Sequence, residues 1–295
     1  MAATRLRINE FVAPGLQALA HGLGYFEAAG LDLEVERTRS ATDQRRRVMS
    51  NECDAALTAI DNLIAWDAEG DDLRLVAQVE RTTVLDLVAR PDVGSVAELR
   101  GSTLAVDAVD SGFAIVLRWI LSAHGIREEE YRLQPEGGVK ERLAALTERR
   151  ATAGLLGPPW SRHALDAGLH RVTTVESALP TFPGIGLAVR ASRVTELEAA
   201  LKGYIAALER AADWAATAER EEAIRLLTVA GFDEGGAAQV LDVCPVTLVP
   251  SREGLELVFT MRRELGMLPE RAPRPEVLLE SLPRFHRMTS GTPAL

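Results

Sequence analysis

Ala55-Ala56-Leu57-Thr58-Ala59-Ile60-Asp61-Asn62 is the stretch on which the reading of this chain turns. Ala55–Thr58 is small and apolar and too short for a helix, which reads as a buried strand. A short turn follows, and Asp61-Asn62 stand where a new helix begins, residue types that satisfy unpaired N–H groups at helix starts. A strand that delivers its end into a turn and then a helix is the unit of a mainly parallel sheet flanked by helices.

The same unit recurs outward from this point. Arg5–Phe11 alternates polar with apolar residues as a strand, and Pro14-Gly15 open a helix with Leu16, Leu19, Leu23 and Phe26 on one face. Gly30 ends the next turn, Leu31–Thr38 alternates as a second strand, and a helix spans about 42–50. Leu73–Val79 and Thr83–Ala89 read as further strands. Pro91 and Gly94 then break the pattern and a second series begins, with strands near 102–106, 131–134, 151–156 and 172–175 and helices at 96–99, 111–124, 139–149 and 162–167. A second Pro/Gly-rich break covers 179–186. Leu187–Arg190 is again a strand, and the remainder is helical, over about 196–216, 220–230, 234–242 and 252–265, with a tail at 273–295 expected to hold a short helix and a loose end. Two units follow: residues 1–89 with 187–295, and an inserted unit at 90–186. Two crossings between them, rather than one linker, suggest a hinge.

Composition narrows the functional classes. Of 295 residues 47% are hydrophobic and 26% charged, enough apolar content for a real core. No apolar run approaches the roughly 18 residues that a membrane helix needs, so no membrane insertion is expected. The net charge is −10, against a nucleic-acid partner, and the basic run Arg45-Arg46-Arg47 falls in a helical pattern as a solvated face. Cys53 and Cys244 are the only cysteines and form no CxxC; the five histidines are scattered, and no metal-ligand spacing appears. Two isolated buried thiols are the simpler reading, with a disulfide left open. No metal, cofactor or catalytic residue is assigned.

Four strand-to-helix turns carry the candidate site, because ligands of open α/β sheets bind beyond the carboxyl ends of the strands. They are Phe11–Gly15, Leu57–Asn62, Asp107–Phe113 and Leu156–Ser161. Helix starts there offer free N–H groups and the positive end of the helix dipole. Asp61, Asp110 and Ser161 read equally as helix caps, and a cap at a strand's end still lines the crevice. Phe113 and Trp160 are placed to stack on a planar ligand, although Phe113 also has the spacing of a core residue with Val116, Leu117 and Ile120. Trp66, Trp119 and Trp214 read as packing residues, and His21 as a surface residue. Asp61, Asp110 and Glu136 would bring negative charge to the cleft if they point inward.

Gly24-Tyr-Phe-Glu-Ala-Ala-Gly30-Leu-Asp-Leu-Glu-Val resembles the opening "G-Y-F-x-x-x-G-L-D-V-E" of substrate-binding proteins related to thiamine-pyrimidine synthase, a group that also holds nitrate-, taurine- and alkanesulfonate-binding proteins. Cys53-Asp-Ala-Ala-Leu-Thr resembles the group's "G-x-x-D-x-x" strand. Asp110-Ser-Gly-Phe, Glu136-Gly-Gly and Ala153-Gly-Leu-Leu-Gly-Pro-Pro-Trp160 resemble its second-lobe turns, so the likeness covers roughly residues 5–190. It implies an α/β, two-lobed type II periplasmic-binding-protein fold, here with a helical carboxyl-terminal segment. The ligand-binding set that follows is Ala13 and Pro14; Thr58 and Asp61; Asp110, Ser111, Gly112 and Phe113; Gly137 and Gly138; Gly157 and Trp160. The synthase's cysteine-rich motif has no counterpart, so its self-consuming chemistry is not supported.

The expected function is binding of a small organic molecule in the interlobe cleft, as the solute-binding protein of an ABC-type importer with a permease as partner, or as a cytoplasmic relative. A metabolic enzyme on the same scaffold, such as a decarboxylase, dehydratase or pyrimidine-synthase-like protein, is the alternative. MAATRLRINEF carries no signal-peptide core. As written the chain is expected in the cytoplasm, or in the periplasm or at the cell surface if a leader has been trimmed.

Overall fold

The strand at 55–59 is buried at every position. The computed structural model describes residues 3–11 and 13–286. Residues 1 and 2, Val12 of the first turn and the expected loose tail from 287 onward lie outside the described residues. The first part of the chain runs β1 (Thr4–Glu10), α1 (Gly15–Gly22), α2 (Tyr25–Ala28), β2 (Leu31–Arg37), α3 (Ala41–Met49), β3 (Ala55–Ala59), α4 (Ile60–Ala68) and β4 (Leu73–Gln78). Then come β5 (Asp86–Ala89), β6 (Thr103–Val106), α5 (Gly112–Ala123), β7 (Arg132–Pro135), α6 (Val139–Thr147), β8 (Ala153–Leu156), α7 (Trp160–Asp166), β9 (His170–Thr174) and α8 (Val175–Ala178). The chain closes with β10 (Ile185–Arg190), α9 (Val194–Thr217), α10 (Arg220–Val229), α11 (Glu234–Asp242), α12 (Arg252–Glu264) and α13 (Pro275–Leu279). The helix expected over 16–26 is split, because Gly24 takes φ 70° and turns the chain between α1 and α2.

The described strands form two sheets, ordered β2-β1-β3-β10-β4 and β7-β6-β8-β5-β9. In the first, β1 runs parallel to β2 and β3, while β10 lies antiparallel between β3 and β4. The second repeats the plan: β6 is parallel to β7 and β8, and β5 is antiparallel between β8 and β9. Each lobe thus completes its sheet with a strand that has just crossed from the other. This moves the first crossing from where the sequence pattern put it, while the second, ahead of Ile185, falls within the 179–186 break. The chain leaves the first sheet after Gln78 and joins the second at Asp86, so 79–85 is the first crossing and carries neither Gly nor Pro. The Pro91/Gly94 break is a turn inside the second lobe. β5 belongs to the second sheet and β10, from Ile185, to the first, so the expected divisions at 89/90 and 186/187 each fall a few residues past the change of sheet. A buried antiparallel strand such as Asp86–Ala89 has the same apolar pattern as a buried parallel one, so the pattern alone does not show which sheet it joins.

Three apolar clusters hold the layers. One lies between the first sheet and α1, α2 and α9 to α11, with Leu6, Ile8, Leu19, Leu57, Tyr204 and Leu208 among its members. A smaller one sits under α6 and α7 against the second sheet. The third runs through both lobes, from Ile60, Leu63 and Leu75 to Leu87, Leu104, Ile115 and Leu117, and includes Leu255, Val258 and Phe259 of α12. The carboxyl-terminal segment therefore packs on α4 and α5 together, one helix from each lobe.

Candidate ligand-binding site

A cavity opens where the lobes meet, enclosing together with its mouth to solvent about 620 Å³. Phe11 and Ala13 come from the end of β1 and the turn after it; Glu80, Thr83, Val84 and Leu85 come from the first crossing, and Ile185 follows the second. Asp107, Phe113, Val139, Arg142, Gly157 and Pro158 are contributed by the second lobe, and Phe232 and Val240 by the helical carboxyl-terminal segment. Three phenylalanines and a set of aliphatic side chains make the wall largely apolar, which is the usual composition of a small-molecule pocket. A second, more open space shares Phe11, Ala13 and Phe232 with it and adds Arg37, Pro159, Trp160, Ala230 and Gly231. The shared residues make it a vestibule to the inner cavity.

Polar groups in the inner cavity are few and constrained. Arg142 is only 4% exposed. Its Nε donates to the Leu155 carbonyl at 3.2 Å and Nη1 to the Gly137 carbonyl at 2.9 Å. Burial lowers its pKa, and the charges of Asp107 and Glu141 act against that. Asp107 accepts a hydrogen bond from the Ser111 hydroxyl at 2.6 Å. Glu80 is half-buried as a residue, but its Oε2 is sealed from solvent and unpartnered. Desolvation pushes the Glu80 carboxyl up to about 8, against a donated Ile185 N–H, so it is largely protonated at neutral pH.

Of the residues expected from sequence, Ala13, Phe113 and Gly157 line the cavity, and Ala13 and Trp160 the vestibule. Pro14 is buried as the residue before α1 and lines neither space. Asp61 neither caps a helix nor faces the cleft. It is fully buried, and both its oxygens accept from Arg262 of α12, at 2.7 Å from Nε and 2.5 Å from Nη2. Burial pushes its carboxyl up, and the charge and hydrogen bonds of Arg262 oppose that. Thr58 is turned to Asn62, whose Nδ2 donates to its hydroxyl at 2.8 Å, and Asn62 Oδ1 accepts the Gly112 N–H of the other lobe at 2.7 Å. Gly112 has no room for a side chain, because a Cβ there would stand 2.8 Å from Ala59 Cβ. The turn at 58–62 and the start of α5 are thus a joint between the lobes. Ser111 is the true cap of α5, accepting the Ala114 N–H at 3.1 Å, and Asp110 is exposed outside it. Ser161 likewise lies within α7, one residue past Trp160, and caps nothing.

Gly137 and Gly138 sit outside the cavity, close to the backbone of Arg39 across the lobes, and Gly137 acts through its carbonyl on Arg142. Glu136 is paired with Arg150 away from the cavity. Both cysteines are free, with thiols pushed up to about 12 by burial. Sequence reasoning missed Glu80, Arg142, Phe232 and Val240, and it chose Asp110 over Asp107. The signal for Arg142 was available: it lies three residues after Val139 and four before Leu146, on the apolar face of its helix.

Two sheets exchanging one strand each, with a mainly apolar cavity where they meet, define a two-lobed α/β protein of the type II periplasmic-binding-protein fold. The NMT1/THI5-like family model matches residues 17–223, more than half the chain, and the protein belongs to that family. No curated protein matches the sequence. Among solved structures, the ligand-binding component of an ABC-type import system from Staphylococcus aureus, with zinc bound, superposes with TM-score 0.77 at 13% identity, covering 96% of this chain and 98% of that one. The alkanesulfonate-binding protein SsuA from Xanthomonas axonopodis pv. citri, bound to MOPS, gives 0.75 at 18% identity over 92% and 96%. The periplasmic nitrate-binding protein NrtA from Synechocystis PCC 6803 gives 0.71 at 15% identity over 91% and 83%. Identities this low establish the shared fold. Among the described residues, no group of three or more His, Cys, Asp or Glu could hold a metal ion, and no helix is long and apolar enough to cross a membrane.

Proposed function

We propose that the protein captures a small organic molecule between its lobes and serves as the solute-binding component of an ABC-type importer, presenting its cargo to a permease. The observation that carries this is the cavity itself, whose walls come from both lobes, the crossings and the carboxyl-terminal segment. A molecule held there touches all four parts at once, so it favours the closed arrangement by its differential affinity for it. The import roles and the periplasmic location named for the structural neighbours support an importer role and a place outside the cytoplasm. Burial raises both thiols to about 12, which argues against either cysteine as a nucleophile.

A thermal-shift screen of small organic metabolites tests the proposal, with Ala13→Trp as the control that fills the cavity. Hits that stabilise the wild type and not Ala13→Trp support it. Consumption of a hit during incubation, or hits indifferent to the substitution, would overturn it.

A further inference from the structure

The two crossings between the lobes lie against each other, and Glu80 stands where they meet. The Val79 N–H donates to the Ile185 carbonyl at 2.9 Å, and the Ile185 N–H donates in turn to the Glu80 carboxyl. Gly184 turns at φ 62°, so close to the first crossing that a Cβ there would lie 2.9 Å from the Thr82 carbonyl and 3.1 Å from Glu80 Cβ. The buried Gln78 pins the start of the crossing. Its Nε2 donates to the Glu80 carbonyl at 2.9 Å, and its Oε1 accepts the Ser251 N–H of the carboxyl-terminal segment at 2.8 Å. Glu80 also lines the cavity, so parting of the lobes brings water to its carboxyl.

No cation compensates that carboxyl among the described residues. Its Oε2 is sealed from solvent and has no hydrogen-bond partner. Arg81, next in the chain, is turned away to Glu176 of α8 and to the Asp242 carbonyl. At the end of α11, Asp242 is paired with Arg220, and Cys244, whose pKa the charge of Glu80 raises, is a neutral thiol at about 12. Asp107 and Arg142 of the second lobe share the cavity wall, yet the carboxyl is governed by desolvation and the Ile185 N–H, not by either of them. The second crossing brings Gly184 and Ile185, which carry no charge, and α12 reaches the first crossing through the Ser251 N–H. A carboxylate enclosed with one N–H for company is costly, whereas the carboxylic acid is tolerated there.

We propose that closure of the lobes binds a proton at Glu80 Oε2, making the paired crossings a latch that tightens as pH falls. The proton comes from solvent and returns to it when the lobes part and water reaches the carboxylate. This deepens the capture function proposed above: a molecule that draws the lobes together is held with one proton more, so its affinity falls as pH rises. One linked proton changes such an equilibrium by up to about tenfold per pH unit. The change is spread between the ordinary value of 4.5 for the hydrated carboxyl and about 8 for the enclosed one.

Hydrogen exchange followed by mass spectrometry tests the latch on the full chain without ligand, in wild type and Glu80→Gln, at about pH 6 and about pH 8. Comparing the two proteins at each pH cancels the chemical exchange rate. Over 79–85 and 184–186 the ratio of wild-type to variant exchange is expected to rise about tenfold or more between the two conditions. These segments should also exchange faster than β3 in both proteins, because the lobes part without unfolding. Glu80→Leu, uncharged by a second route, should match Glu80→Gln in its lack of pH response and guards the test if one variant folds poorly. A constant ratio overturns the proposal. So do crossings that exchange no faster than β3, since the proton then leaves only on unfolding. No ligand enters the measurement, so its failure leaves the capture function to the Ala13→Trp comparison.

Discussion

Asp61→Ala is expected to damage the fold rather than the site. Asp61 and Arg262 are 0% and 2% exposed and joined by two hydrogen bonds, with Arg262 also donating to the Met267 carbonyl at 3.2 Å. Truncating Asp61 leaves a guanidinium in the core with a carbonyl for company and no countercharge. Breaking a buried pair in this way costs about 3–5 kcal/mol. For a chain of this length each kcal/mol is worth roughly 2 °C in Tm, so a fall of about 6–10 °C is expected. Asp61→Leu with Arg262→Met removes both charges at similar volume, and most of the loss should return. Urea denaturation followed by circular dichroism gives the free energies, and a thermal scan gives Tm. Below its own Tm, Asp61→Ala should retain ligand affinity, because the carboxylate does not face the cavity. A loss under about 1 kcal/mol, or a double variant as weak as the single, would refute the reasoning.

The joint and the crossing supply two more tests. Gly112→Ala puts a methyl 2.8 Å from Ala59 Cβ. Overpacking of about 1–3 kcal/mol then falls on the closed arrangement, and ligand affinity should drop about tenfold with a larger radius of gyration in small-angle scattering; an unchanged radius and affinity would count against the joint. Glu80, raised to about 8 from an ordinary 4.5, keeps its proton in the folded state across a range where the unfolded chain releases it. Its contribution to stability is complete below the ordinary value and is lost as pH rises through about 8. Glu80→Gln should flatten that slope in urea midpoints measured across the window, and an identical slope in the variant would remove Glu80 as its source.

Much of the fold was legible because its signals are local. The alternation in Arg5–Phe11 and Leu31–Thr38 and the apolar run at 55–59 mark strands by period alone, and the units repeat in the right order. The change of sheet at β5 was not legible, since it depends on which neighbour that strand bonds to, and a short, mostly apolar strand reads the same in either lobe. Turn chemistry led to Ala13, Phe113 and Gly157 and also to Asp61, because a carboxylate at a helix start looks the same whether it meets a ligand or an arginine 201 positions later. Phe232 and Val240 lay beyond reach because they come from a helix-to-helix turn and from α11 rather than from the end of a strand, and only the packing of that segment against the lobes brings them to the cavity.

Native mass spectrometry of the protein after incubation with a metabolite extract, in parallel with Ala13→Trp, addresses the central claim most directly. Capture in the interlobe cavity predicts a one-to-one complex with a small organic molecule on the wild type and its loss on Ala13→Trp. An adduct of equal abundance on both proteins, or a wild type that retains nothing, would contradict it.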